Sequence, residues 1–211
     1  MCLNELIEDL LSNFQNRTVR ERPYIVGIDG LSGAGKTTLV KKLQDYLKNQ
    51  CNIVVLHIDD HIVERDRRYH TRYEEWYEYY YLQWDAEMLV EKLFKKLHSN
   101  STELTLPFYD KSIDQIEHKT LSIHSNCMVI IEGIFLQRKE WKEYYDFTIF
   151  VDCPREKRYE RVLQRDSYIG NEQEILDKYK RRYWLGEDYY LETVKPTEIA
   201  NKLYKCNALE Y

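Results

Sequence analysis

The chain has 211 residues, of which 43% are hydrophobic and 32% charged, and this composition supports a packed core. Its formal net charge of −5 argues against an extended basic surface for DNA or RNA, and no apolar run is long enough to span a membrane. The five cysteines are scattered and odd in number, which predicts reduced thiols, a cytoplasmic location and no zinc site. We therefore expect one domain over residues 1–211 whose partners are small molecules, and homo-oligomerisation is left open.

The first residues carry an apolar stripe at helical spacing, which predicts an amphipathic helix over residues 3–15 within an N-terminal region of 1–19. The stripe consists of Leu3, Leu6, Ile7, Leu10, Leu11 and Phe14. We expect this helix to pack on the domain, and it carries no residue pattern typical of chemistry. The short apolar run at 24–28 then predicts a first buried strand.

The stretch GLSGAGKT, residues 30–37, fits the phosphate-loop pattern G-x-x-x-x-G-K-[ST] at every fixed position. It lies between the predicted strand and apolar positions at helical spacing, which is the order that a phosphate loop requires. Glycines let backbone N–H groups wrap an anion, the lysine reaches the outer phosphates, and the threonine hydroxyl of Thr37 can hold Mg²⁺. The predicted ATP-binding residues are Gly30, Ser32, Gly33, Ala34, Gly35, Lys36, Thr37 and Thr38.

Acidic residues follow two further apolar runs. The run 53–58 predicts a second strand and leads into Asp59 and Asp60, and the run 128–131 predicts a third strand and leads into Glu132. Ligands of open parallel sheets bind beyond the carboxyl ends of the strands. These side chains are therefore candidates for holding Mg²⁺ or for accepting the proton of a hydroxyl. A turn or a helix cap is the alternative for the two aspartates.

The segment 61–84 is dense in Arg, His, Tyr and Trp. Two interpretations stay open with equal weight: a cover over an acceptor substrate, whose rings stack and whose arginines bind anions, or a surface helix with its aromatic face on the core. Asp85 is placed to cap a helix over 86–97. Short β-like runs at 102–108 and 120–124 suggest a small antiparallel ribbon.

The run 147–151 predicts a fourth strand, and a basic helix follows it. Its arginines are Arg155, Arg158, Arg161 and Arg165. Such a face is either simply solvated or, beside a phosphate loop, able to close over the transferring phosphoryl group. A further helix is expected at about 172–191, whereas periodicity does not decide between strand and helix at 198–204.

Together these stretches resemble the uridine/cytidine kinase-like family of phosphate-loop kinases. The resemblance covers about residues 22–205 and is carried by GIDGLSGAGKTT, VVLHIDD, LQWD, LPFYD, VIIEGIF and RVLQRD. It implies an α/β fold with a five-stranded, mostly parallel sheet flanked by helices, a small β-ribbon and a helical lid, here at 160–185. It also implies transfer of the γ-phosphoryl group of ATP to a primary hydroxyl of a nucleoside-like molecule, with Mg²⁺.

The resemblance assigns roles at the reaction centre. Asp59 matches the aspartate that faces the acceptor hydroxyl as a base and lies near the metal, and it is preferred over Asp60 because the ungapped strand match places it there. Glu132 matches the glutamate that organises Mg²⁺, and Arg165 resembles a lid arginine. With Lys36, Asp59 and Arg165 form the predicted catalytic set, and Asp60 is predicted in the acceptor site.

On the acceptor side, Asp85 resembles the aspartate that holds ribose hydroxyls, and Tyr109 resembles an aromatic near the base. Two positions depart from the pyrimidine kinases. Asp114 stands where they have a base-contacting histidine, which puts uracil or cytosine recognition in doubt. Residues 169–171 are Ile-Gly-Asn where their lid has Arg-Gly-Arg, so the missing charge would have to come from elsewhere, with Arg181 or Arg182 as the candidates.

Two classes of function are compared. A kinase needs acidic residues at both strand tips, whereas a nucleotide-binding regulator does not. A GTPase switch should show N-K-x-D, and the stretch at 201–204 begins like that motif but lacks the aspartate. These observations favour the kinase. Another riboside, a vitamin or a pentose phosphate is the alternative acceptor.

Overall fold

Five parallel strands form the central sheet. The computed structural model describes residues 2–206. The strands span Tyr24–Asp29 (β1), Asn52–His57 (β2), Cys127–Gly133 (β5), Phe147–Asp152 (β6) and Lys202–Lys205 (β7), and their order in the sheet is β2-β5-β1-β6-β7. The predicted α/β fold is confirmed, and all pairings in this sheet are parallel. The phosphate loop follows β1, which is a central strand with β5 and β6 as its neighbours.

Alternating side chains of the strands feed two hydrophobic clusters, because successive residues of a strand point to opposite faces. Val26 and Ile28 pack in one cluster with α1 (Leu3–Gln15) and α2 (Lys36–Leu47). Ile25 packs in the other cluster, beneath the segment that follows β2, the β-ribbon and the C-terminal helices. Within residues 2–206, no helix is both long and apolar enough to cross a membrane.

The predicted N-terminal helix is confirmed over Leu3–Gln15. Cys2 caps it, because its Sγ accepts a hydrogen bond from the Glu5 backbone N–H while the Glu5 carboxylate accepts one from the Cys2 N–H at 2.8 Å. Leu6, Leu10 and neighbouring apolar side chains of the stripe are buried against the sheet.

The segment after β2 is mostly helical. A 3₁₀ turn over Ile58–His61 carries both aspartates, and α3 (Arg65–Arg68) and α4 (Glu75–Tyr81) follow. The predicted helix at 86–97 is present, but it passes through a π-helical turn; its parts are α5 (Ala86–Leu89), the turn Val90–Phe94 and α6 (Lys95–His98).

The β-ribbon consists of β3 (Glu103–Asp110) and β4 (Gln115–Ser122), paired antiparallel. The predicted second run, at 120–124, begins five residues later than β4 does. Apart from Ile116, residues 115–119 are polar and exposed, so the first part of β4 lacks the repeated apolar alternation that predicts a strand, and only its pairing with β3 shows its full length.

The C-terminal part is helical up to its last strand. Its elements are α7 (Arg155–Arg165), a 3₁₀ turn (Ser167–Ile169), α8 (Glu172–Lys178), a π-helical turn (Tyr179–Tyr183), α9 (Trp184–Thr193) and α10 (Pro196–Ile199). The open question at 198–204 resolves into both elements, because α10 ends at Ile199 and β7 begins at Lys202.

Candidate active site

The phosphate loop joins β1 to the first turn of α2. Gly33 and Gly35 have φ angles of 76° and 96°, which side chains rarely adopt, and a Cβ at Gly33 would lie 2.7 Å from the Arg158 carbonyl oxygen. The Lys36 Nζ bridges the loop by donating to the carbonyls of Gly30 at 2.8 Å and Leu31 at 3.1 Å. The loop is therefore closed on itself and pressed against α7.

Lys36 is the positive centre of a group of carboxylates. Burial lowers its pKa, and the charges of Glu132, Asp59, Asp29 and Glu187 act in the opposite direction. Two of these, Glu132 and Asp59, are residues that the sequence places at strand ends. The carboxyl edge of the sheet thus brings the predicted lysine, threonine and both acidic positions into one site.

Glu132 lies directly beside the start of α2. Its Oε1 accepts a hydrogen bond from the Thr37 hydroxyl at 3.2 Å and lies 2.6 Å from the His57 Nδ1, whereas its Oε2 is buried without a partner. Despite its burial, the pKa of Glu132 is lowered, because His57 and Lys36 favour the carboxylate. His57 was not predicted; it is opposite Glu132 in the β2–β5 register, a pairing that only the folded sheet shows.

This arrangement fits a magnesium ion. A hydroxyl and carboxylate oxygens are hard ligands of the kind that Mg²⁺ prefers, and the partnerless Oε2 of Glu132 leaves one buried acceptor for it. In the described part of the chain, no three His, Cys, Asp or Glu side chains form a complete metal cage. Nucleotide sites do not need one, because phosphates and water supply the remaining Mg²⁺ ligands.

Asp59 and Asp60 lie in the 3₁₀ turn that follows β2. Asp59 reaches solvent at the site but is densely surrounded by protein, and this desolvation raises its pKa; Lys36 opposes the shift, Glu132 adds to it, and Arg165 opposes it. Asp59 therefore shares the electrostatic environment of the lysine, the glutamate and the lid arginine. Asp60 is a weaker influence on the same carboxylate.

The residues predicted to bind the acceptor, Asp85 and Tyr109, both make contacts within the protein. The expected cap is confirmed at Asp85, whose Oδ1 accepts a hydrogen bond from the Met88 N–H at 3.0 Å while its Oδ2 lies 3.3 Å from Arg67. The Tyr109 hydroxyl donates to the Asp114 carboxylate at 2.9 Å, so Asp114 orients that ring. Binding of ribose by Asp85 stays a prediction.

The arginines of α7 do not form a simple solvated face. Arg158 is buried and donates to the Ser32 carbonyl at 3.0 Å, and Arg161 donates to the Gly33 carbonyl at 3.0 Å. Arg165 contacts the Ser32 hydroxyl at 3.2 Å and pairs with Asp166 at 2.7 Å. The helix thus holds the outer side of the phosphate loop.

Arg181 and Arg182, the two candidates for supplying the missing lid charge, contact the segment 61–84. Arg182 is fully buried and pairs with Glu78 at 2.8 Å, and Arg181 pairs with Glu75 at 3.0 Å. In this structure they brace α4 against the C-terminal helices and do not contact the phosphate loop.

Three buried residues that hold the loop were missed by sequence reasoning. Glu187 of α9 accepts a hydrogen bond from the Ser32 N–H at 2.9 Å and pairs with Arg158 at 2.9 Å. Tyr190, three residues further along α9, donates to Asp29 at 2.5 Å, and Asp29 accepts a hydrogen bond from the Gly30 N–H at 2.8 Å. The aspartate of GIDG was a visible signal, but nothing local marked either α9 residue.

The family model described as phosphoribulokinase / uridine kinase family matches residues 25–200. The chain belongs to this family. A uridine kinase of Lactobacillus johnsonii is 28% identical over 148 residues, which are 70% of this kinase and 69% of that protein. A uridine kinase of Borrelia duttonii is 28% identical over 177 residues, 82% of each chain.

Solved structures agree with this membership. A structure described as a possible uridine kinase from Bacillus stearothermophilus has a TM-score of 0.79 and 42% identity, and the match covers 97% of this chain and 100% of that one. A phosphoribulokinase from Rhodobacter spheroides, with 16% identity, a TM-score of 0.63 and coverage of 88% of this chain and 70% of that one, shares the fold. The predicted family and the prediction of a small-molecule kinase are confirmed, and membership implies a nucleotide donor and a small-molecule substrate.

Proposed function

We propose that this kinase transfers the γ-phosphoryl group of ATP to a primary hydroxyl of a nucleoside-like small molecule, and that it uses Mg²⁺. The observation that carries the proposal is the meeting of Lys36, Thr37, Glu132 and Asp59 at the carboxyl edge of the sheet. A phosphate-binding loop needs only the first two of these residues. The two carboxylates add what phosphoryl transfer to an alcohol requires.

Each residue has a role that follows from its chemistry. The loop N–H groups and Lys36 bind the outer phosphates of ATP, and Asp59 orients the acceptor hydroxyl and accepts its proton. Thr37 and Glu132, with Asp59 nearby, would hold Mg²⁺, which neutralises phosphate charge when bound. Arg165, on the lid at 160–185, stabilises charge that develops on the transferring group.

The acceptor belongs on the side formed by the segment 61–84, Asp85 and Tyr109. Sequence similarity to proteins that are named uridine kinase supports a nucleoside-like acceptor. Cytoplasmic location and oligomeric state stay predictions.

The proposal is tested by measuring ATP consumption over a panel of nucleosides, other ribosides, vitamins and pentose phosphates, with the phosphorylated product identified by mass spectrometry. We expect acceptor-dependent turnover that requires Mg²⁺. Lys36→Ala is the control, and it should lose turnover because removing one preorganised donor costs about 3–4 kcal/mol of barrier. ATP binding without turnover of any acceptor would instead support a nucleotide-binding regulator.

A further inference from the structure

A group of cations and aromatic rings lies on the acceptor side of the site. We call it the basic tyrosine cluster, and it consists of Arg68, Tyr69, Tyr109, Lys178 and Arg182. Around the Tyr69 ring centroid, the guanidinium carbons of Arg182 and Arg68 lie at 4.1 Å and 4.8 Å, and the Lys178 Nζ lies at 5.8 Å. The Arg68 guanidinium also lies 5.1 Å from the Tyr109 ring centroid.

The cluster is connected to the reaction centre. The guanidinium of Arg182 also lies 5.8 Å from the centroid of Tyr79, a buried ring on which the charge of Asp59 acts. Tyr79 also lies within the electrostatic reach of Arg165. Tyr79 therefore contacts the cluster through Arg182 and is also influenced by charges of the reaction centre. Tyr109, at its far end, is the residue predicted near the acceptor.

The charges of the cluster do not balance. Arg182 has a carboxylate partner, because Glu78 lies 2.8 Å from it in a fully buried pair. Arg68 is only 4% exposed and donates through Nε to the Val63 carbonyl at 2.7 Å, but across residues 2–206 no carboxylate forms an ion pair with it or with Lys178. A buried guanidinium without a counter-ion is costly, and a cation–π contact with tyrosine compensates only part of that cost.

The segment's other arginines show that this imbalance is particular to Arg68. Arg67 pairs with Asp85, and Arg65 donates to the Lys111 carbonyl at 2.8 Å on the ribbon, both at exposed positions. Arg68 alone of these three points into the protein. The surrounding cations also act on Tyr69: burial would raise the pKa of its phenol, but the charges of Arg182, Lys178 and Arg68 lower it. An anion bound beside Tyr69 would receive a charge-assisted contact from Arg68 or from Lys178.

We propose that the acceptor of this kinase carries an anionic group, a carboxylate or a phosphate, which binds between Arg68, Lys178 and Tyr69 while the acceptor's hydroxyl faces Asp59. The inference rests on the proposed phosphoryl transfer and adds a substrate class to it. It separates this chain from those relatives that are named uridine kinase, because uridine is a neutral nucleoside. The cations supply the charge, and the tyrosine rings supply the walls of the subsite.

The test compares acceptors that differ only in charge. The carboxylate arm uses 5-carboxyuridine against the neutral 5-carbamoyluridine, and the phosphate arm uses D-ribulose 5-phosphate against D-ribulose. We expect one of the two anions to exceed its neutral counterpart in kcat/KM by about tenfold, which is the effect of one charge-assisted hydrogen bond. The arm that shows the preference identifies the anion.

Variants then assign the preference to the cluster. Lys178→Met should reduce the preference of kcat/KM for the anion about tenfold, whereas Lys180→Met, at an exposed position on the same helical segment, should leave it unchanged. Arg68→Met should act in the same way, with exposed Arg20→Met, outside the site, as its control and thermal melting as the check on folding. If Arg68→Met does not fold, Lys178→Met alone decides.

Calorimetric binding of the same four compounds separates the possible failures. If neither anion is preferred in binding or in turnover, or if the preference survives in both variants, the inference is wrong. If neutral acceptors are phosphorylated as efficiently as anionic ones, the inference fails and the proposed function stands. If an anion binds and Lys178→Met abolishes its binding, but neither these four compounds nor any acceptor of the wider panel is phosphorylated, the subsite is supported and the proposed function is wrong.

Discussion

Asp59 and Asp60 are adjacent in sequence but differ in their surroundings. Asp59 interacts with Lys36, Glu132 and Arg165, and desolvation is the largest influence on its pKa, which is raised. We expect Asp59→Asn to bind ATP and acceptor nearly normally and to turn over about 10²–10⁴ times more slowly, because asparagine keeps the shape but cannot accept the proton. The measurement is kcat at saturating ATP, Mg²⁺ and acceptor.

Asp60→Asn is the matched control and should retain most of the activity. An inactive Asp60→Asn beside an active Asp59→Asn would exchange the two roles. Full activity in both variants would mean that neither carboxylate is the base.

Cys153 offers a pH-dependent prediction away from the site. Burial and the neighbouring Cys206 thiol raise the pKa of the Cys153 thiol to about 11. A thiol with a raised pKa stays protonated at pH 8, and only the thiolate is the nucleophile. We expect iodoacetamide to label Cys153 far more slowly than exposed Cys2 at pH 8, and the labelling rate of Cys153 to rise steeply as the pH approaches 11. Peptide mass spectrometry measures both rates, and equal labelling at pH 8 would contradict the raised pKa.

At the scale of elements, α9 is the support of the phosphate loop. Its Glu187 and Tyr190 lie three residues apart on one helical face; the first holds the Ser32 N–H, and the second holds Asp29 at the start of the loop. The same helix also packs on α4, where a Cβ on Gly186 would lie 3.0 Å from the Tyr79 ring. The helix therefore contacts both the phosphate loop and the segment 61–84.

The buried pair between Arg158 and Glu187 gives a prediction for this element. Glu187→Met should lower the free energy of unfolding by about 3–5 kcal/mol, because it leaves the Arg158 charge buried and uncompensated. The double variant Arg158→Met with Glu187→Met should regain much of that stability, since an apolar pair carries no desolvation cost. Denaturant titration measures both values.

Activity separates the two functions of this pair. The double variant should still have a raised KM for ATP, because neither the N–H nor the carbonyl of Ser32 is held any longer. A double variant that is stable and has the normal KM for ATP would show that the pair stabilises the fold without positioning the loop.

At the scale of the whole molecule, each face of the sheet carries its own hydrophobic cluster, and α1 belongs to a cluster that lies away from the acidic strand ends. One hydrophobic cluster joins α1 and α2 to the sheet, and the other lies beneath the acceptor segment, the ribbon and α9. This division predicts that changes under α1 alter stability and leave the chemistry unchanged.

Leu10→Ala tests the division. Leu10 is fully buried, and its truncation should lower the free energy of unfolding by about 2–5 kcal/mol. Half-buried Leu11→Ala on the same helix is the control and should cost less. The kcat of folded Leu10→Ala should equal that of the wild type, and a large loss of kcat would mean that α1 influences the site.

Local sequence alone determined the phosphate loop and the strand ends. The glycines, Lys36 and Thr37 stand at the fixed spacing of a motif that lies entirely within residues 30–37. Asp59 and Glu132 were also predictable, because the carboxyl ends of neighbouring parallel strands lie at one edge of a sheet. The apolar stripe of α1 and the cap at Asp85 are likewise local patterns of spacing and side-chain chemistry.

Only the tertiary structure decided what surrounds these residues. Glu187 is 155 positions from Ser32, and no local pattern distinguishes a buried, paired glutamate from a solvated one. The same holds for Arg68 and Arg67, which are neighbours in sequence, although one is buried among rings and the other is exposed. The first part of β4, residues 115–119, is recognisable as strand only through its pairing with β3. Burial and pairing depend on contacts between distant parts of the chain, and such contacts leave no periodic trace in the residues that make them.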